Sequence, residues 1–200
     1  MLLKKWEDLP SYMKCDEVRT YYDILSVILA IPMIIIAVMI KLDSPGSVFY
    51  RQERVTTYGK HFKIHKFRTM VSNADKIGTA VTVENDNRIT RVGAKLRGLR
   101  LDELPQVLDV LNGNMSFVGT RPEAVKYVEK YKPEYFATLL LPAGITSEAS
   151  IRYKDEAKLL DEAKDVDKVY LENVLPGKMQ YNLESISKFS FLKEIVTMIR

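Results

Sequence analysis

Asp102 and Glu103 stand side by side in "RGLRLDELPQVLDVLNGN", and five cations, Arg88, Arg91, Lys95, Arg97 and Arg100, precede them within fifteen residues. A further arginine, Arg121, follows in "VGTRPE". Neighbouring carboxylates repel, so the pair calls for a physical reason. One is structural: if an α-helix runs from about Glu103 to Asn112, Asp102 is its N-cap, Glu103 favours its positive end, and Pro105 falls in the first turn, where a missing N–H costs nothing. The other is chemical. A helix start among arginines is a phosphate seat, and a carboxylate beside such a seat repels the ligand unless it is a metal ligand or a nucleophile. Aspartate takes both roles in phosphoryl transfer, where Mg²⁺ neutralises phosphate oxygens and arginines spread the developing charge.

The elements that must position these residues are legible in outline. "SVFYRQERV" and "KHFKIHKFRTM" are rich in β-branched and aromatic residues and are separated by "TTYG", which predicts a β-hairpin. In its second arm Phe62 and Ile64 share a face with Lys66 and Arg68, so two cations end a strand anchored in the core. Residues 72–91 are polar and aperiodic and predict a long surface loop. Helical periodicity returns at Leu96, Leu99 and Leu101 and again at Leu104, Val107, Leu108 and Leu111, with Gly113 as the C-cap. "EAVKYVEKYKPEYFATLLLP" predicts one or two helices broken before Pro133 and Pro142, and an acidic helical region follows. The chain ends in a helix with Phe189, Leu192, Ile195, Val196 and Ile199 on one face, a stripe that by itself reads as core.

Upstream, Ile24 to Ile40 is a run of 17 residues without a charge, at the short end of what a spanning helix needs. Pro32 interrupts it and predicts a kink or break. Its length, the acids before it and the lack of a small-residue cleavage site argue against a signal peptide. Lys4, Lys5, Lys14 and Arg19 precede the run, and Lys41, Arg51, Arg54 and Lys60 follow it. This tie in flanking cations is uninformative for a span but expected of a helix that enters and leaves one leaflet. The expectation is a re-entrant helix-break-helix over residues 1–41, bent at Pro32, with a cytoplasmic domain over 42–200. A tilted span or a buried core helix are the alternatives.

With 46% hydrophobic and 28% charged residues, the 200-residue chain can bury one sizeable core. The net charge of +4 is unevenly spread: residues 1–40, 41–121 and 122–200 carry −1, +6 and −1. A basic middle suits an anionic partner. A single cysteine, Cys15, excludes an internal disulfide, and Cys15, His61 and His65 lack zinc-site spacing; both histidines read as strand-surface residues.

Together "KLDSPGSVFYRQERV", "FKIHKFRTM", "RITRVGAKLRGLRLDELPQVLDVLNGNMSFVGTRPE" and "AGIT" resemble the bacterial sugar transferases, the monotopic polyprenyl-phosphate phosphoglycosyl transferases. The resemblance covers about Tyr21 to Thr146, and the length is similar to the minimal catalytic form. It implies an α+β, predominantly helical fold: a re-entrant membrane helix, then a compact catalytic domain with a β-hairpin and interfacial helices on the cytoplasmic face of the bacterial inner membrane. It implies transfer of a sugar 1-phosphate from a nucleotide sugar, UDP-linked by expectation, to a polyprenyl phosphate such as undecaprenyl phosphate, by a ping-pong route. Asp102 is then the nucleophile and a contact for Mg²⁺, Glu103 its dyad partner, and Arg97 and Arg121 the phosphate-binding arginines, with Lys66 and Arg68 as further phosphate contacts. The partners are donor, acceptor and bilayer, with a homo-oligomer left open. Asn114, Thr120 and "PAGITS", with Ala143 and Ser147, depart from the family pattern. A non-enzymatic module binding anionic lipid explains the basic middle and the apolar run but not the dyad. A nucleic-acid binder is disfavoured, since no basic residues interleave with aromatics on a recognisable element.

Overall fold

The computed structural model describes residues 16–74, 86–161, 163 and 165–199. Cys15 and most of the polar 72–91 stretch lie outside the described residues.

Helix α1, Asp16–Asp43, carries the apolar run with Pro32 inside it. Where two arms separated by a break were expected, one helix continues on both sides of the proline. Its C-terminal half has two faces. Ile36 and Ile40 are buried with Phe67 and Leu96, and Met33, Val48, Val92, Leu101 and Leu104 pack around them. Ile28, Ile31, Ile35, Val38 and Leu42 are each more than half exposed, at spacings of three and four that align them in one stripe. A buried core helix is thereby excluded, and the hydrophobic cluster joins α1 to the domain that follows it. No helix among the described residues is long and apolar enough to cross a membrane.

The hairpin is as expected. Strands β1, Phe49–Val55, and β2, His61–Phe67, pair antiparallel from Phe49↔Phe67 to Val55↔His61. Phe62 and Ile64 are buried on one face of β2 against Met115, which leaves Lys66, two residues on, pointing the same way. Helix α2, Arg91–Gly98, starts on Thr90, whose hydroxyl accepts from the Gly93 N–H. Asp43, the last residue of α1, accepts from the Val92 N–H at 2.9 Å, so the end of one helix caps the start of the next.

The segment after α2 differs from expectation. Leu101–Gln106 is a 3₁₀ helix, and the α-helix, α3, is confined to Val107–Leu111. Asp102 lies inside the 3₁₀ turn, and the position before the turn is held by Arg100. Pro105 explains part of this: it supplies no donor and fits a tight first turn.

Strands β3, Met115–Val118, and β4, Ala143–Thr146, form a small parallel sheet that periodicity did not reveal. The two chains pass so closely that a Cβ on Gly144 would lie 2.1 Å from the Gly119 nitrogen, so both positions exclude side chains. Between them come α4, Val125–Val128, and a 3₁₀ helix, Pro133–Leu140, with the expected break before Pro133, which opens the second of the two. Short helices α5, Glu148–Arg152, α6, Glu156–Asp161, and α7, Val166–Val169, lead through a π-helical turn, Tyr170–Val174, into α8, Leu175–Ser187. The main core gathers Tyr127, Val128, Tyr131, Tyr135, Leu160, Tyr170, Leu175 and Met179 from this part of the chain, with Val55 from the end of β1.

The terminal helix α9, Phe191–Ile199, overturns the core reading of its stripe. Leu192, Val196 and Met198, with Phe189 just before the helix, are more than half exposed. Periodicity identifies an apolar face but cannot say what covers it.

Candidate active site

The dyad is presented by a strained turn. Arg100 adopts a left-handed backbone at φ 54°, which costs a non-glycine residue about 1 kcal/mol. That conformation ends α2 and swings Leu101–Gln106 alongside β2, bringing the dyad to Lys66. Strain of this kind concentrates where geometry serves a site.

The two acids have opposite surroundings. Glu103 is bound by Lys66 at 3.0 Å and by both guanidinium nitrogens of Arg121, Nη1 donating to Oε2 at 3.1 Å and Nη2 to Oε1. Burial disfavours its charge, but Arg121 and Lys66 more than offset this and hold the carboxyl well below the usual range. In turn Glu103 raises the pKa of Arg121. Lys66 is lowered to about 8, first by burial and then by Arg121 beside it. The Asp102 side chain has no hydrogen-bond partner among the described residues, and burial raises its pKa against the pull of Lys66 and Arg97. The capping account of Asp102 therefore does not hold: its side chain bonds no backbone N–H.

A cavity of about 810 Å³ opens over the dyad, and Lys66, Arg97, Arg100, Arg121 and Lys154 stand in its wall. It extends to Gly46 and Ser47, just beyond the end of α1. Arg97, Arg121 and Lys66, all expected at the site, are thus brought together with Asp102 and Glu103. Arg68 also lines this cavity, but its guanidinium donates to the Pro45 carbonyl at 3.0 Å and to the Ser44 carbonyl at 2.7 Å. In this geometry it caps the C-terminus of α1 and fixes that helix end against the site. Pro32 is far along α1 from this wall and lines neither of the cavities around the dyad.

A second cavity, of about 270 Å³, shares Arg54, Arg97, Arg100, Arg121 and Lys154 with the first. Its remaining wall includes a buried polar cluster. Tyr170 donates to Glu123 at 2.6 Å, and Lys178 donates to Glu156 and to the Tyr170 hydroxyl, each at 3.1 Å. Sequence reasoning passed over all four residues. One signal was available: Leu175, Lys178, Met179 and Asn182 form the buried stripe of α8, and a lysine on such a stripe needs a buried partner.

Other expectations resolve nearby. His65 is not an idle surface residue: its backbone N–H and Nδ1 each lie 2.8 Å from the carboxylate of buried Asp109, which locks β2 to α3. His61 is half exposed beside Glu53. Asn114 accepts from Lys60 at 3.2 Å at the hairpin turn and lines neither cavity. Ala143 pairs with Met115 in the small sheet, the Thr120 carbonyl accepts from the Gly144 N–H, and Ser147 caps α5. These departures from the family pattern thus have structural roles.

Among the described residues no three histidine, cysteine or acidic side chains converge to hold a metal. Mg²⁺, however, is usually held by one or two carboxylates together with substrate phosphates. Asp102, unpartnered and facing the cation-lined cavity, fits that mode, whereas Glu103 is already neutralised.

The family model for bacterial sugar transferases matches residues 18–196. Similar proteins include a UDP-N-acetylgalactosamine-undecaprenyl-phosphate N-acetylgalactosaminephosphotransferase of Aeromonas hydrophila, 41% identical over 137 residues, which are 64% of this chain and 32% of that protein. A UDP-glucose:undecaprenyl-phosphate glucose-1-phosphate transferase of Escherichia coli (strain K12) is 39% identical over 160 residues, 78% of this chain and 32% of that protein. An exopolysaccharide production protein of Rhizobium leguminosarum bv. phaseoli is 43% identical over 132 residues, 62% of this chain and 66% of its own length. The chain thus spans about a third of the first two relatives. Since the family model matches well over half of its residues, and the dyad and its arginines converge on one cavity, the chain belongs to the bacterial sugar transferases.

Proposed function

We propose that this chain transfers a sugar 1-phosphate from a UDP-sugar to undecaprenyl phosphate at a bacterial membrane, through a covalent intermediate on Asp102. A carboxylate oxygen of Asp102 attacks the phosphorus that bears the sugar. The bond from that phosphorus to the nucleoside monophosphate breaks, and its electron pair leaves with UMP. A phosphate oxygen of the acceptor then attacks the same phosphorus, and the Asp102 carboxylate departs, giving polyprenyl-diphosphate-sugar. Arg97 and Arg121 bind the diphosphate, and Lys66 assists them. Glu103 holds Lys66 and Arg121 in place and keeps both charged. Asp102 would help to hold Mg²⁺, which would supply neutralisation of charge on the phosphate oxygens.

The observation that carries this reading is the contrast within the dyad: the Asp102 side chain is partly buried, unpartnered among the described residues and faces a cavity rich in cations, while Glu103 is saturated. A carboxylate withdrawn in part from water and left without a partner carries a desolvation cost that a bound ligand or a reaction can use. The names of the relatives supply UDP-sugars as donors and undecaprenyl phosphate as acceptor. The exposed stripe of α1 and that of α9 fit burial in a lipid surface, and re-entry of α1 by a bend at Pro32 would leave both its flanks on the cytoplasmic side.

Incubation with a panel of UDP-sugars, Mg²⁺ and no acceptor should release close to one UMP per protein with the right donor. Asp102→Asn should release none, and substantial release by that variant would sink the nucleophile assignment. Cysteine labelling of both flanks of α1 in vesicles tests re-entry, which labelling on opposite sides would refute.

A further inference from the structure

We infer that the smaller cavity seats the sugar ring of the donor, and that Tyr153, Glu156 and Lys178 select which sugar is transferred. This rests on the ping-pong reading above and extends it to the substrate's uncharged end. In that reaction one group stays bound through both half-reactions, because the sugar travels with the phosphorus onto Asp102 and off again. The nucleoside monophosphate and the acceptor phosphate occupy the opposite side of that phosphorus in turn. An exchange site must be roomy and open to the bilayer, whereas the retained group needs only a side pocket.

The two cavities divide in this way. The larger, of about 810 Å³, contains the dyad and reaches the end of α1, from which a lipid acceptor would arrive. The smaller, of about 270 Å³, joins it across the wall of Arg54, Arg97, Arg100, Arg121 and Lys154. That volume lies just below the ~300 Å³ at which pockets for drug-sized ligands begin, which suits a single ring better than a nucleoside with its diphosphate.

The charge pattern gives the same orientation. Cations dominate the shared wall, where the diphosphate would lie. Beyond it the smaller cavity presents Glu123 and Glu156, which repel phosphate but accept hydroxyl hydrogens, with Ser150, Tyr153 and Tyr170 hydroxyls and the Lys178 ammonium as partners. A polyol needs such a mixture of donors and acceptors. Lys178 is 4% and Tyr170 3% exposed, so their positions are set by the cluster they form. Glu156 keeps a carboxylate side chain 34% exposed, and so has capacity for a ligand. Gly177 packs against Tyr153, which does line the cavity: a Cβ there would lie 1.9 Å from the Tyr153 hydroxyl, so any side chain at 177 displaces that ring.

The test compares Glu156→Gln and Gly177→Ala with the unaltered full chain in lipid, using UMP release from a panel of UDP-hexoses and UDP-N-acetylhexosamines and, separately, equilibrium binding of UMP. Alanine at 177 favours the helix, so this variant retains the fold while moving Tyr153. Each variant should raise KM for the preferred donor about tenfold or more, change the ranking of donors, and leave UMP affinity within about twofold. A parallel loss of UMP affinity would place the nucleoside in this pocket and overturn the inference, as would an unchanged KM and ranking. If instead the unaltered chain released no UMP from any donor, the proposed reaction itself would fail, an outcome distinct from either.

Discussion

Arg121 stands between two clusters of charge built from the same residue types, one partly buried and one largely buried. On one side Glu103 binds Arg121 and Lys66, with Asp102 next to it in the chain. On the other, Glu123, Tyr170, Lys178 and Glu156 close a network in which every acid has a donor. The second cluster satisfies its buried members, Glu123, Tyr170 and Lys178, and leaves only the partly exposed Glu156 carboxylate with capacity for a ligand. The first is complete only for Glu103. Asp102 is left with the cost of partial burial and no side-chain bond to offset it, and on that asymmetry the proposed division into a reacting and a positioning acid rests. The lesson extends to the arginines: Arg68 is committed to the carbonyls of α1, whereas Arg97 and Arg100 have no acidic side chain within ion-pair distance among the described residues and stand open to a ligand's phosphates.

Substitutions on the two sides should therefore fail differently. The largest effect after removal of the Asp102 carboxylate is expected from Glu103→Gln, which removes the charge that holds Lys66 and Arg121. UMP release should fall at least about 100-fold, in line with the loss of a preorganised electrostatic contact, while thermal unfolding remains cooperative. Equal losses of stability and activity would erase the distinction between the clusters. Glu123→Gln should do the reverse. It leaves Lys178 short of a buried counter-charge at a cost of about 2 kcal/mol, read as a lowered Tm, with kcat reduced by less than the Glu103 variant's.

A pH profile sharpens the comparison further. Lys66 is folded with a pKa of about 8, so its cation is present below that pH and lost above it. Activity should decline above about pH 8, by up to tenfold per pH unit, and Lys66→Arg should remove this limb because guanidinium does not titrate there. For stability the sign is opposite at the acid end. The folded pKa of Glu103 is depressed, so its contribution is present above the unfolded value of ~4.3 and is lost as pH falls below it. Acid unfolding of the Glu103→Gln variant should accordingly be less steep. The smallest effect is expected from Arg100→Gly. It relieves the left-handed strain, adding up to about 1 kcal/mol to stability, but removes one cation from the shared wall, so donor KM should rise a few-fold.

Much of the site was legible because its residues are local. Asp102, Glu103 and Arg97 lie within one short segment, Arg121 follows a glycine loop eighteen residues on, and the alternation of Phe62, Ile64 and Lys66 carried the cation to the correct face of the hairpin. The cap was misjudged for a local reason as well: Asp102 before Pro105 looks like an N-cap, but the left-handed Arg100 and the 3₁₀ turn move it inside the element. The Glu123–Lys178 cluster was not legible, because its partners lie up to 55 positions apart and nothing in local pattern couples them. The parallel pairing of β3 with β4 escaped for the same reason.

The sequence by itself determined the family motifs, the hairpin, the basic middle and the apolar faces of α1 and α9, since these follow from residue type and from periods of two and 3.6. Only the tertiary structure decided which acid keeps a free carboxylate, that Arg68 caps a helix, that the last helix shows its apolar face outward, and that a second polar cavity adjoins the dyad. Each of these depends on which distant groups meet and exclude water, and so on packing across the chain, which no local pattern records.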